Sequence, residues 1–523
     1  MDSRDELIQL LKESLEQQQK LNAELTQQVA NLNETVQNLL NKLYGTSSEK
    51  KKAEIPGQLN LFNEAEMEAD PSAAEPPIET VIEGYVRKER NPKRSHKDIL
   101  DNLPIKKVVC KVAKEDRYCE WCGIEMEKIG TKYVREELQI IPAKVLRIHY
   151  YQEVLGCPEC KKELPVIKEA QTPTPLFKHS FASPSTVAYV MYQKYMNAMP
   201  LYRQEMDWKQ LGVELSRSTM ANWIIKASLG YLKPVFEKLH EHLLEREVLH
   251  ADETPCQVLK EEGKAAASKS YMWTYLTGDD GLPTIVLYEY CPGRSGDYAK
   301  AFLKGFHGFI HCDGYCGYNK LEDVVRVGCM AHCRRYFFEA MPKKKKDSPK
   351  ITPAEIGYEY CNRLFELERE FKYLDAETKK AKRLEYESPV LKAFWSWIET
   401  VDAAGGSRLD KAITYAKNQK DNLMNYLLDG RCAISNNSAE RRVKSYVMGR
   451  KNFLFHDTPK GAEASSIIYS LVETAKANNL NVYKYLYTVL LYMPDYKNEP
   501  EGIEELMPWS DFIKRSCTNS LQK

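Results

Sequence analysis

The spacing of hydrophobic side chains changes along the chain, and its first form is a seven-residue repeat. Between residues 8 and 43, apolar side chains recur at two seam positions, with an asparagine at one of them. The seams are Ile8, Leu15, Asn22, Val29, Val36, Leu43 and Leu11, Gln18, Leu25, Leu32, Leu39. Branched residues at the first seam, leucines at the second and one buried asparagine favour a parallel two-stranded coiled coil. We therefore predict a homodimer through residues 1–44, the alternative being a lone amphipathic helix packed on its own domain.

Residues 45–100 lose the repeat and collect proline and glycine, which predicts a linker. Charge is separated within it. Residues 64–83 carry seven acidic and no basic side chains, whereas residues 87–97 carry six basic and one acidic. The whole chain has a net charge of only +1, so local basic runs decide any contact with a phosphate backbone. The alternative for each run is an ordinary solvated surface.

Residues 101–170 hold two Cys-x-x-Cys pairs, Cys119 with Cys122 and Cys157 with Cys160. Four thiolates at this spacing predict a closed, structural tetrahedral Zn²⁺ site. Strand-like segments at 133–140 and 144–154 could form a hairpin that returns the second pair to the first. The alternative is a redox pair, although no βαβ pattern surrounds these residues.

The 523 residues are enough for several domains. No run approaches 18 uncharged apolar residues, and the N-terminus lacks a signal-peptide pattern, so we predict a cytoplasmic protein with no membrane partner. In that compartment, the 14 cysteines are expected to include metal ligands rather than a disulfide framework.

Residues 171–245 have helical spacing, with a start at Ser183 and Pro184. The segment 206–227 divides at Leu211-Gly212-Val213, and its second half opens with Ser216 and Ser218 as candidate caps. This pattern predicts a helix-turn-helix in which Arg217 contacts DNA. A helical hairpin buried in a core would give the same pattern.

Beyond Glu247 the spacing becomes that of β-strands. Strands are predicted at 248–252, 270–277, 284–290, 309–312 and 324–327, with helices at 295–303 and 330–341. Three strands, helix, strand, helix, strand, helix is the order of the ribonuclease H-like fold, in which the first and fourth strands are neighbours. We therefore predict a multidomain α+β protein with a catalytic domain in two parts, 246–345 and 431–480. A helical insertion at 346–430 separates them, and residues 481–523 form a tail.

Three carboxylates stand at the ends of these elements. Asp252 and Asp313 end apolar strands, and Glu440 lies in the first turn of a helix that Asn436, Asn437 or Ser435 could cap. Phosphodiester cleavage uses hard oxygen ligands to hold two Mg²⁺ ions, with Mn²⁺ as a substitute. We predict that Asp252 bridges the ions, while Asp313 and Glu440 each hold one. The alternative for each acid alone is a surface carboxylate.

Other side chains close in sequence to these motifs are candidates for roles at the site. His332, Asn436 and Asn437 are predicted active-site neighbours, as is Arg335. Predicted DNA contacts are Arg217, Arg334, Arg335, Arg441, Arg442, Lys444, Arg450 and Lys451. A second zinc site drawn from Cys312, Cys316, Cys329, His332 and Cys333 is disfavoured, because alternation turns Cys312 away from Asp313. These cysteines are predicted to be mostly small core residues.

Long motifs in the chain resemble those of the transposases of the insertion sequence 66 family. They are residues 250–254 (His-Ala-Asp-Glu-Thr), 312–319, 329–335, 436–441 and 449–452, together with 200–205 and the paired cysteines. The resemblance covers nearly the whole chain, and the triad positions match Asp252, Asp313 and Glu440. Ser435, Cys316 and Cys333 depart from the pattern without touching the triad.

This resemblance implies a bacterial, nucleoid-associated transposase of the Asp-Asp-Glu type. Its DNA partners would be the terminal inverted repeats of its element and the target DNA, and accessory proteins of the same element are possible partners. Metal-dependent hydrolysis would free 3′-hydroxyls that then attack the target. The alternatives are a catalytically silent DNA-binding regulator, or domesticated transposase, and a ribonuclease H-like nuclease.

Overall fold

The structure is a computed structural model that describes residues 145–151, 153–156, 167–169, 173–342, 351–496 and 499–518. The chain divides into two compact units, one of residues 1–53 with 173–518 and one of residues 54–172 with 519–523. The predicted coiled coil, the linker and the four paired cysteines lie outside the described residues.

Within the smaller unit, strand β1 (Val154–Gly156) pairs antiparallel with β2 (Ile167–Glu169). The sequence predicted a strand over 144–154, but residues 145–151 belong to no strand and β1 begins only at Val154. These residues are exposed, so alternating side chains gain no buried face that would select a paired strand.

A mixed five-stranded sheet forms the centre of the larger unit. Its strands are β3 (Val248–Gln257), β4 (Lys269–Thr277), β5 (Val286–Cys291), β6 (Gly308–Cys312) and β7 (Val324–Gly328). Their spatial order is β5-β4-β3-β6-β7. The first three are antiparallel neighbours, and β6 pairs parallel with both β3 and β7. The five predicted strands are therefore confirmed, and the first and fourth lie side by side. The predicted end of the first strand is wrong, because β3 continues to Gln257 in its pairing with β4 and Asp252 lies within it.

Alternation along β3 and β6 divides the larger unit into two cores. Leu249, Ala251 and Ile310 pack into the first, which includes helices from both ends of the unit. Val248, on the opposite face, joins the second core, which is built mainly from the helices between β7 and residue 434. Successive strand residues face opposite sides, so each core takes every second side chain of these strands.

Helices α1 (Pro184–Tyr195), α2 (Leu201–Gln210), α3 (Arg217–Ala227) and α4 (Lys233–Leu244) precede the sheet, and a π-helical turn joins the last two. Ser183 and Ser216 cap α1 and α3 as predicted, by accepting from the backbone amides of Thr186 and Thr219. Gly212 takes a φ of 80° in the turn between α2 and α3, a conformation that suits glycine.

The remaining helices lie beyond the third strand. They are α5 (Gly296–Phe302), α6 (Met330–Ala340), α7 (Pro353–Glu370), α8 (Ala376–Lys382), α9 (Ser388–Thr400), α10 (Arg408–Asn418), α11 (Lys420–Met424), α12 (Asn437–Phe453), α13 (Pro459–Ala477), α14 (Val482–Tyr496), α15 (Pro500–Glu505) and α16 (Asp511–Cys517). The helical character predicted for 346–430 holds for its described part. Among the described residues, no helix is long and apolar enough to cross a bilayer.

Helix α13 protects the edge strand β5. The backbone amide of Tyr288 donates to the Ser470 hydroxyl at 2.7 Å, and that of Val286 donates to the Thr474 hydroxyl at 3.0 Å. The Thr474 hydroxyl in turn donates to the Val286 carbonyl at 2.9 Å. Hydroxyls of the helix thus occupy part of the unpaired edge, which would otherwise be free to pair with another strand.

One buried arginine ties the helical insertion to the segment that leads into α12. Arg383 is fully buried and forms an ion pair with Glu368 at 2.6 Å. Its guanidinium also donates to the carbonyls of Tyr426, Asp429 and Cys432 at 2.8–3.1 Å. A buried charge is tolerated only when its donors are satisfied, and here one side chain joins four backbone and side-chain positions.

Replacing this arginine should therefore destabilise the folded protein. Arg383→Met should lower the free energy of unfolding by about 3–5 kcal/mol, because Glu368 would keep a poorly compensated charge. Arg363→Met is the matched control, since Arg363 forms only an exposed pair with Glu366 and should change stability by about 0–1 kcal/mol. Denaturant unfolding followed by tryptophan fluorescence measures both, and equal losses would contradict the assignment.

Candidate active site on one face of the sheet

The register of two parallel strands carries Asp252 and Asp313 to the same face of the sheet. His250 of β3 is paired in register with His311 of β6, and their rings stack with centroids 4.2 Å apart. Each aspartate stands two residues after one of these histidines. Because side chains alternate along a strand, both carboxylates are placed on the histidine face. Cys312 instead packs in the core with Leu249 and Ala251, as the alternation predicts.

Helix α12 brings Glu440 to the same face. The residue before the helix, Asn436, is buried and binds β3 through both ends of its amide. Its oxygen accepts from His250 Nδ1 at 2.9 Å, and its nitrogen donates to the carbonyl of Ala251 at 2.7 Å. The first turn of α12 is thereby fixed beside the strand that carries Asp252.

The predicted capping of this helix is wrong. Asn436 occupies the N-cap position, but no side chain there accepts a capping hydrogen bond, and the helix begins at Asn437. The amide of Asn436 is already used by His250 and Ala251, so a tertiary contact has replaced the local one. Asn437 is only partly buried.

Negative charge is concentrated at this face. The pKa of Asp252 lies well above its ordinary value, first because the carboxyl is buried and then because Glu253, Asp313 and Glu440 are near. One hydrogen bond acts in the opposite direction, from the Glu253 amide to Asp252 Oδ1 at 2.9 Å. The Tyr315 amide fixes Asp313 in the same way, at 2.9 Å from its Oδ1. Burial and the neighbouring carboxylates therefore disfavour the ionised form of Asp252, which a bound cation would favour.

The two oxygens of Glu440 face different partners. Its Oε2 lies 3.7 Å from a guanidinium nitrogen of Arg335, and its Oε1 lies 3.8 Å from Nε2 of His332. Oε1 is buried and has no hydrogen-bond partner among the described residues. The structure thus brings the predicted neighbours His332 and Arg335 to Glu440. Burial lowers the pKa of His332, whereas the Glu440 charge acts to raise it.

A further carboxylate escaped the sequence analysis. Glu253 follows Asp252 in β3 and turns to the opposite face, where its side chain is 1% exposed. It accepts from Arg294 Nε and from the Tyr318 hydroxyl, each at 2.7 Å. Burial raises its pKa, and both partners act to lower it. Alternation along β3 was the signal that would have assigned Glu253 to this second face.

The three predicted ligands supply the kind of donor atom that hard divalent cations prefer. Asp252, Asp313 and Glu440 offer carboxylate oxygens on one face, and Glu440 Oε1 is a buried acceptor that lacks a donor. Oxygen donors of this kind suit Mg²⁺ and Mn²⁺. Their mutual repulsion is the property that a bound cation would relieve.

The predicted DNA contacts occupy different settings. Arg217 is exposed at the start of α3, and Arg441 is exposed on α12. Arg442 forms an ion pair with the buried Glu473 at 3.1 Å, and Arg450 donates to the Thr254 hydroxyl at 3.3 Å. Lys444 and Lys451 each have an interaction within the protein.

Arg334 is placed differently from the other predicted DNA contacts. Its guanidinium lies 5.0 Å from the ring of Tyr358 and 5.3 Å from that of Phe365, and it donates to the Tyr358 hydroxyl at 3.0 Å. Arg334 thus packs α6 against α7, whereas the next residue, Arg335, faces Glu440. Of the cysteines predicted as core residues, Cys312, Cys329 and Cys333 are buried, but Cys316 is exposed.

A cleft of about 440 Å³ lies beside the start of α12, with His250 in its lining. Its basic side chains are Lys372, Lys379, Arg431, Arg441 and Arg442. Lys379 pairs with Glu368, Arg431 with Asp429 and Arg442 with Glu473. Lys372 and Arg441 form no ion pair among the described residues; their hydrogen bonds go to the hydroxyls of Tyr373 and Ser438.

These features define an α+β protein whose candidate site is a cluster of carboxylates on one face of a mixed sheet, at its inner strands β3 and β6. The chain belongs to the IS66 family of transposases, because the model described as Transposase IS66 family matches residues 179–464, more than half of its length. The IS66 C-terminal element matches residues 470–509. The zinc-finger binding domain of transposase IS66 matches residues 116–161, and the Transposase C of IS166 homeodomain matches residues 31–108.

Similar chains occur in Sinorhizobium fredii. The uncharacterized protein y4hP is 28% identical over 415 residues, which cover 75% of this chain and 73% of that protein. The uncharacterized protein y4qI is 27% identical over 505 residues, which cover 92% of this chain and 89% of that protein. The similarity therefore extends over most of the chain.

The raised pKa of Asp252 predicts how stability should depend on pH. The fold disfavours the ionised carboxyl, so the stability that Asp252 contributes is fully present below the ordinary carboxyl pKa and is lost as pH rises through the raised one. Asp252→Asn stays neutral at every pH. In magnesium-free buffer at pH 8, it should be more stable than the wild type by roughly 1–3 kcal/mol.

Urea unfolding between pH 4 and pH 8 measures this difference, which should shrink toward pH 4. Asp421→Asn removes an exposed carboxylate and should leave stability nearly unchanged at both ends of the range. A wild type as stable as Asp252→Asn at pH 8, or a difference that grows toward pH 4, would count against a crowded, buried carboxyl.

Proposed function

We propose that this protein is a DNA transposase that cleaves and joins strands at Asp252, Asp313 and Glu440 with two Mg²⁺ ions. The observation that carries this proposal is the convergence of these residues, from two strands and a distant helix, on one face of the sheet. Their electrostatic influence on Asp252 supports a shared site. Membership of the IS66 family supports transposition as the process.

We also propose that the sheet belongs to a ribonuclease H-like domain. Three antiparallel strands are followed by two parallel ones, in the spatial order β5-β4-β3-β6-β7. In this order, the first strand lies beside the fourth; Asp252 lies within the first, and Asp313 directly follows the fourth. Helix α12, which follows the helical insertion along the chain, supplies the third carboxylate.

The proposed reaction has two similar steps. Water first attacks the phosphorus at an element end, and the bond to the 3′-oxygen breaks to leave a 3′-hydroxyl and a 5′-phosphate. That hydroxyl next attacks a target phosphodiester, joins to its 5′ side and releases a target 3′-hydroxyl. Bound Mg²⁺ would stabilise the attacking and leaving oxygens in each step. Asp252, Asp313 and Glu440 would hold the ions.

The neighbouring side chains would prepare Glu440 for this role. Arg335 faces Oε2, while Oε1 is buried and has no hydrogen-bond partner among the described residues, so it is available to a cation. The Tyr315 amide holds the carboxylate of Asp313, and the Asn436 amide holds helix α12 against β3. Groups positioned in this way need little rearrangement when substrate arrives.

DNA would enter along the basic cleft beside α12. Lys372 comes from the helical insertion and Arg441 from the helix that carries Glu440, so a phosphate backbone held between them would run next to the acidic cluster. The exposed start of α3 at Arg217 would provide a second contact. The zinc-finger and homeodomain regions would recognise the element ends, with residues 119, 122, 157 and 160 as zinc ligands and residues 1–44 as the dimerising coiled coil.

Loss of any one carboxylate should abolish the chemistry but not DNA binding. Asp252→Asn, Asp313→Asn and Glu440→Gln should each reduce Mg²⁺-dependent cleavage by about 10³-fold or more, because each removes a ligand that no neighbour replaces. The substrate is duplex DNA spanning the borders of the element that encodes the chain. Band shifts on the same duplex report binding.

Asp421→Asn is the matched control and should cleave like the wild type. An RNA–DNA hybrid of the same sequence distinguishes a ribonuclease H-like nuclease, which would prefer the hybrid. A chain that binds the ends but never cleaves them would instead be a silent regulator. Undiminished cleavage by the three variants would refute the triad.

The cleft gives a separate prediction about affinity. Lys372→Gln combined with Arg441→Gln should weaken binding of duplex DNA by about tenfold or more at low salt. It should also reduce the slope of log K against log salt by about 2, because two phosphate contacts are lost. Lys304→Gln with Lys514→Gln removes two exposed charges outside the cleft and should change neither quantity. Equal effects of both pairs would assign the binding to overall charge.

A further inference from the structure

We propose that Cys329, His332 and Glu440 form a binding site for a transition metal of the Zn²⁺ class. A sulfur, an imidazole nitrogen and a carboxylate oxygen from these residues all lie within 4.8 Å of one another. This metal site rests on the proposed function only because Glu440 belongs both to it and to the proposed catalytic triad. It is separate from the zinc finger and from the two aspartates.

Two helix starts build this site. Cys329 immediately precedes α6, and His332 lies in the first turn of the same helix, so their side chains share one end of it. Glu440 lies in the first turn of α12. The two N-termini therefore meet around a thiol and a carboxylate.

The sulfur of Cys329 is buried and accepts a hydrogen bond, as the sulfur of a metal-binding cysteine commonly does. Cys329 is fully buried, and the backbone amide of Asn436 donates to its Sγ at 3.2 Å. A donated hydrogen bond compensates negative charge on sulfur, and the groups that surround a ligand in this way orient it toward the metal. The same Asn436 fixes α12 on β3, so the sulfur and Glu440 are positioned by one residue.

Two buried polar atoms of the cluster lack hydrogen-bond partners in the described part of the chain. They are Nδ1 of His332 and Oε1 of Glu440. His332 Nε2 and Glu440 Oε1 are 3.8 Å apart, too far for a hydrogen bond. Two ligands of one tetrahedral Zn²⁺ are about 3.3–3.8 Å apart, given metal–ligand distances of about 2.0–2.3 Å. An ion bound by Nε2 would give a partner to Glu440 Oε1, which is otherwise costly to bury.

The donor set selects the metal. Thiolate and imidazole ligands favour Zn²⁺ or Co²⁺, whereas Mg²⁺ takes oxygen ligands almost exclusively. Three protein ligands leave one tetrahedral position open. Glu440 can therefore complete either this site or the Mg²⁺ site with Asp252, and Zn²⁺ would compete with Mg²⁺ for its carboxylate.

The test counts metal in the full-length chain. After removal of free ions, the wild type should hold about two equivalents of Zn²⁺ per chain, one in the zinc finger and one here. Cys329→Ser, His332→Ala and Glu440→Gln should each hold about one. Cobalt replacement gives a second reading, because Cys329→Ser should lose part of the thiolate-to-cobalt absorption.

Cys333→Ser is the matched control, since Cys333 is equally buried on α6 but lies outside the cluster, and it should keep both equivalents. Unchanged metal content in the three variants would overturn the site, as would an equal loss in Cys333→Ser, which would indicate general loosening of the helix. Asp252→Asn should keep both equivalents while losing cleavage, so a failure of the metal site is distinguishable from a failure of the proposed function.

Discussion

The contact on which the rest of the site depends is the side chain of Asn436 against β3. One amide binds His250 and the Ala251 carbonyl, and the backbone nitrogen of the same residue binds Cys329. Three segments that are far apart in sequence are thus joined at a single buried position. Burial makes the arrangement specific, because each of these polar groups would be costly to leave without a partner.

The electrostatics of the site follow from what this contact brings together. Asp252 and Asp313 are held near Glu440, and burial of the Asp252 carboxyl weakens the screening of their repulsion by water. Arg335 and His332 stand beside Glu440, at 3.7 and 3.8 Å from its two oxygens. The fold therefore stores unfavourable charge at the place where a cation or a phosphate would bind, which is typical of functional sites.

The alternation of side chains along the strands predicted which residues share a face of the sheet. The spacing of two residues from His250 to Asp252 and from His311 to Asp313 fixes their common face, and the same alternation sends Cys312 to the other core. Contacts between elements were not predictable in this way. The capping expected of Asn436 failed because a tertiary partner displaced a local one. The pairing of Glu253 with Arg294 depends on a loop whose path no periodicity describes.

The grouping of Cys329, His332 and Glu440 shows why distance along the chain limits such prediction. The first two residues share one helical turn, but Glu440 follows more than 100 residues later, beyond the helical insertion. That insertion is not a passive spacer. Arg383 binds the carbonyls of Asp429 and Cys432 and so directs the chain back toward Asn436. Since the packing of the second core holds α6 in place as well, the same group of helices positions both helix starts. The insertion thus sets the geometry of the site from outside it. The packing of these helices therefore decides whether Glu440 shares a cation with the two aspartates or with Cys329 and His332.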